Sequence, residues 1–80
     1  MISKDEIKMN IKEILISKYD LEINDNDKIL LNIHKIKGID IFYIIFLIQK
    51  KFNLIINRYS PFDGEVTIDN ITNYIYSYIK

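Results

Sequence analysis

Enzyme chemistry needs nucleophiles, titratable groups or metal ligands in register, and this eighty-residue chain offers few. It has no cysteine, so thiol catalysis, thiolate metal sites and a disulfide framework are excluded. His34 is the single histidine. A transition-metal site there would have to recruit carboxylates alone, and as a general base it has no adjacent nucleophile. It reads as a loop histidine. The run Asn24-Asp25-Asn26-Asp27 raises calcium binding, but the glycine and the closing bidentate glutamate of an EF-hand loop are missing. Short polar side chains in such a run favour turns instead. Of the four serines, Ser3 and Ser60 sit where helix caps are expected, Ser17 falls late in a helical stretch, and Ser77 lies between tyrosines. The only glycines are Gly38 and Gly64, so no phosphate-cradling glycine loop exists. The expectation is a chain that is not an enzyme and holds neither metal nor cofactor.

Composition narrows the class. The formal net charge is zero, without the basic excess that phosphate contacts demand, so no nucleic acid partner is expected. Tyr74, Tyr76 and Tyr78 have only Lys80 as a basic neighbour, which favours packing over base stacking. The longest apolar run, Ile41 to Ile48, is far shorter than the roughly 20 residues of a bilayer span. The N-terminus lacks the apolar core of a signal peptide. A soluble cytoplasmic protein without a membrane partner is expected. About half of the residues are hydrophobic, enough for one small core shared by every element.

The elements that would position these residues are helical. Ser3-Lys4-Asp5-Glu6 has the form of a capping box, with two acids at the positive end of the helix dipole. Ile7, Ile11, Ile14, Leu15 and Tyr19 continue it as an apolar stripe, predicting a helix from Lys4 to Tyr19. Asp20 to Lys37 reads as a long connection in which Ile29, Leu30 and Leu31 fold back over the core. A second helix is expected over Ile39 to Phe52. Ser60-Pro61-Phe62-Asp63 suggests a short helical turn with proline in its first position. Thr67 then caps a last helix with apolar positions Ile68, Ile71, Tyr74, Ile75, Tyr78 and Ile79.

This order, with Gly38 to Phe52 and Thr67-Ile68-Asp69-Asn70-Ile71-Thr72-Asn73-Tyr74-Ile75, resembles the acyl and peptidyl carrier proteins. The resemblance spans nearly the whole chain. It implies an all-α fold, a single domain over 1–80: a small four-helix bundle with three main helices, one short one and a long first loop. In that family the second helix opens with Asp-Ser-Leu, and the serine bears a phosphopantetheine arm. A phenylalanine follows the serine by about fourteen residues. Counting that distance back from Phe52 reaches Gly38, which has no hydroxyl to esterify. A second register, with Gly38-Ile39-Asp40 standing for the residues before the serine, puts Ile41 there, and Ile41 has no hydroxyl either.

The resemblance also implies that the second helix meets partner proteins. On a helical projection its solvent sector holds Asp40, Tyr43, Leu47 and Lys50, flanked by Ile44 and Lys51, and the opposite sector holds Phe42, Ile45, Gln49 and Phe52. Only Asp40 keeps the acidic character usual in the family, and Lys50 and Lys51 would repel a partner with a basic patch. Asp40, Tyr43, Ile44, Leu47 and Lys50 are the expected partner-binding residues. Their patch would serve a protein partner or self-association, unless the first loop buries it. The reading is a non-catalytic carrier-like interaction module that cannot be primed, in a setting such as peptide or natural-product maturation. A functional carrier protein and an unrelated helical regulatory or immunity-type protein remain as alternatives.

Overall fold

The computed structural model describes residues 2–32, 34–56 and 65–79. All regular structure among them is helical: α1 (Lys4–Tyr19), a single 3-10 turn (Ile29–Leu31), α2 (Gly38–Lys51) and α3 (Ile68–Tyr76). The short helical turn expected at Ser60 to Asp63 lies outside the described residues.

α1 begins where its capping box predicts. The Glu6 amide donates to Ser3 Oγ at 3.2 Å, and the Ser3 amide donates to Glu6 Oε1 at 3.2 Å. Both long helices stop without a glycine. Asp20 follows α1 at φ 51° and Asn53 follows α2 at φ 54°. Asp and Asn are the residues that best tolerate the left-handed conformation after glycine. Past Asn53, the Leu54 amide returns to the Gln49 carbonyl at 2.9 Å. α3 starts at its expected cap, with Thr67 Oγ1 accepting from the Asn70 amide at 3.1 Å.

One aliphatic core joins these pieces. It contains Ile7, Ile11 and Leu15 of α1, Ile41, Ile44, Ile45 and Ile48 of α2, and Ile68, Ile71 and Ile75 of α3. α1 packs most extensively on α3 and less on α2. The Cα radius of gyration is 11.7 Å, close to that of a folded chain of this length. Thr72 is also buried, and its Oγ1 has no hydrogen-bond partner among the described residues.

The connection from α1 to α2 is stitched to the start of α3. The Ile29 amide donates to the Val66 carbonyl at 2.9 Å, and the Asp69 amide donates to the Asp25 carbonyl at 3.0 Å. Ile29 and Ile36 plug the core. Leu31, expected to fold inward with Ile29, is 75% exposed. The tight turn points Ile29 and Leu31 in different directions, and Ile36 takes the second anchoring place.

Candidate interaction site

Gly38 occupies the first helical position of α2, after the extended cap residue Lys37. It is exposed, and a side chain added there would meet no atom within 4 Å. Room for a hydroxyl therefore exists, but the residue supplies none. Ile41, the alternative position, is a buried core residue. Of the described serines, Ser3 caps α1, Ser17 is exposed late in α1, and Ser77 donates to the Tyr74 carbonyl at 2.6 Å.

Asp40 has an internal task. One carboxylate oxygen accepts the Lys37 amide at 2.8 Å, and the other accepts the Tyr19 hydroxyl at 3.1 Å. The first bond satisfies a free donor at the helix start, where negative charge also suits the dipole. The second ties α2 to the end of α1. Burial, then the Asp40 hydrogen bond, pushes the Tyr19 hydroxyl up to about 12.

The outward face of α2 is rotated from the sequence-based projection. Its buried side is Ile41, Ile44, Ile45 and Ile48. Ile44, expected in the partner-binding patch, is fully buried and is removed from it. Phe42, expected on the inner side, is 45% exposed, beside Tyr43 at 45%, Phe46 at 44% and Ile39 at 76%. Leu47 is half-buried. The cause is chemical: α2 is apolar almost all round, so hydrophobicity alone sets its rotation weakly. Packing chose the compact isoleucine stripe and left the bulky rings outside. Lys50 is exposed and lays its ammonium 5.5 Å from the Phe46 ring centroid. The face that results is Ile39, Phe42, Tyr43 and Phe46, closed at its C-terminal end by Lys50.

The acidic loop is neutralised by lysines of α1. Lys8 Nζ lies 3.1 Å from Asp25 and 2.9 Å from Asp69, and Lys12 Nζ lies 2.6 Å from Asp25. Hydrogen bonds from Lys12 and Lys8 hold the Asp25 carboxyl below its ordinary range, and Asp69 and Asp25 raise the Lys8 ammonium. Asp27 closes a local turn by accepting the Asn24 amide at 2.9 Å. No cluster of three or more metal-ligating side chains occurs among the described residues. His34 is exposed in a turn. A cleft of about 250 Å³ lies between α1 and the loop, lined by Lys12, Leu15, Ile16, Leu21, Glu22 and Ile68 among others; it includes no residue of α2. Tyr74 and Tyr78 pair edge to face at 5.4 Å, and Tyr76 sits under the Lys4 ammonium at 5.2 Å. The sequence favoured packing for these tyrosines, with Lys80 as the only basic neighbour; the Lys4 partner of Tyr76 comes from α1 and was not foreseen.

No helix among the described residues is long and apolar enough to cross a membrane. Comparison with protein-family models, with curated proteins and with solved structures finds no match to the chain.

Proposed function

We propose that the chain is a non-catalytic interaction module, built on a carrier-protein-like plan, that docks a protein partner through α2 and carries no phosphopantetheine arm. The observation that supports docking is the outward aromatic face of α2, with Phe42, Tyr43 and Phe46 each a little under half exposed. Small soluble proteins seldom leave adjacent large apolar side chains in water without an interface to use them. The carrier-like part rests on the resemblance. Gly38 is exposed at the start of α2, the position that the resemblance gives to the family's serine, and it has no hydroxyl to carry an arm. A peptide or natural-product maturation system is a setting that fits such a module.

The test is incubation of the chain with coenzyme A and a broad-specificity phosphopantetheinyl transferase, read by intact mass. The mass is expected to stay unchanged. A gain equal to one phosphopantetheine would make the chain a working carrier and overturn the reading.

A further inference from the structure

We propose that the outward face of α2 receives an amphipathic helix whose apolar stripe is bordered by aspartate or glutamate. This rests on the docking reading above and adds the chemistry of the partner. Ile39, Phe42, Tyr43 and Phe46 are exposed at positions i, i+3, i+4 and i+7, two turns of a continuous apolar stripe. Helix-on-helix recognition uses anchors with that spacing.

Charge selects the partner. The exposed lysines of this helix are Lys37 at its cap and Lys50 and Lys51 in its last turn. None of the three forms an ion pair among the described residues, whereas Lys8, Lys12, Lys28 and Lys35 all do. The sole acid of α2 is Asp40, and both of its oxygens already accept hydrogen bonds within the chain. Among the described residues, the stripe therefore has a positive border with no answering carboxylate. A partner with acidic flanks supplies it, and one with basic flanks meets like charge. A second copy of the same face brings only more lysines and no free acid. Anionic membranes and nucleic acids call for a larger basic excess than a chain of net charge zero provides.

The experiment selects a displayed library of amphipathic helices, with one fixed apolar stripe and flanks randomised among Asp, Glu, Lys and Arg, on the full chain. Selected clones are then titrated against Lys50→Glu, Phe46→Glu and Tyr43→Glu variants whose helicity is confirmed by circular dichroism. Acidic flanks are expected to be enriched, with binding at least about tenfold weaker to Lys50→Glu and lost on Phe46→Glu or Tyr43→Glu. Enrichment of basic or mixed flanks overturns the charge assignment and leaves the docking face standing. Clones that bind both ring variants as well as the native chain overturn the docking face itself. The proposal also falls if no clone is enriched; sedimentation as a dimer or adsorption to phosphatidylserine vesicles would then say which other occupant the face takes.

Discussion

The Tyr19 hydroxyl donates a 3.1 Å hydrogen bond to the Asp40 carboxylate and so fixes the end of α1 to the first turn of α2. Asp40 also accepts the Lys37 amide, so it serves two elements at once. Asp40→Asn is expected to cost about 1–2 kcal/mol and Tyr19→Phe about 1 kcal/mol in urea unfolding. The two losses should not add, because they share one bond. The sign of the alkaline effect follows from the raised Tyr19 hydroxyl, about 12 against an ordinary 10.0. Its stabilisation is complete below the ordinary value and is lost as pH climbs toward 12. Native protein should therefore lose more stability across that window than Tyr19→Phe does. Tyrosinate absorbance, taken as the difference between the two proteins, reports the titration directly.

The Lys8, Lys12, Asp25 and Asp69 network predicts the opposite pH response. Asp25 is lowered by its lysines, so its contribution is present above the ordinary carboxylate range and disappears as pH falls below it. Asp25→Asn should be less stable than the native chain at neutral pH and should show a flatter loss in acid. Because these groups are partly exposed, the neutral-pH difference should shrink in molar salt. Thermal unfolding at low and high salt measures it.

The rotation of α2 separates two neighbours on that helix. Ile44 is fully buried, whereas Phe46 is nearly half exposed. Ile44→Ala is expected to cost about 2–5 kcal/mol, enough to threaten a domain this small. Phe46→Ser should cost about 1 kcal/mol or less. Equal costs in denaturant unfolding would place the wrong side of α2 inward.

Thr72 is buried, and its hydroxyl has no hydrogen-bond partner among the described residues. Thr72→Val keeps the shape and removes the polar atom, so it should stabilise the chain by about 1 kcal/mol. A higher thermal midpoint checks this.

The sequence showed its helices more clearly than their facing. Ser3 with Glu6, and Thr67, announced two helix starts because capping is a local matter of three or four residues. The ends were harder, since Asp20 and Asn53 do the work usually given to glycine. α2 was legible as a helix, but a nearly all-apolar helix carries little directional signal, so Ile44 and Phe42 were placed on the wrong sides. Asp40 was expected to face a partner; its bond to Tyr19 spans a loop and could not be read locally. The same holds for Asp25, whose lysines lie on α1.

The central claim is that the outward face of α2 is where a partner sits. A photo-crosslinking amino acid at position 46, compared with the same group at the exposed α1 position Met9, tests it in cells of the native host. The account predicts a discrete protein adduct from position 46, identified by mass, and little from position 9. No adduct from position 46, or equal yields from both positions, would contradict it.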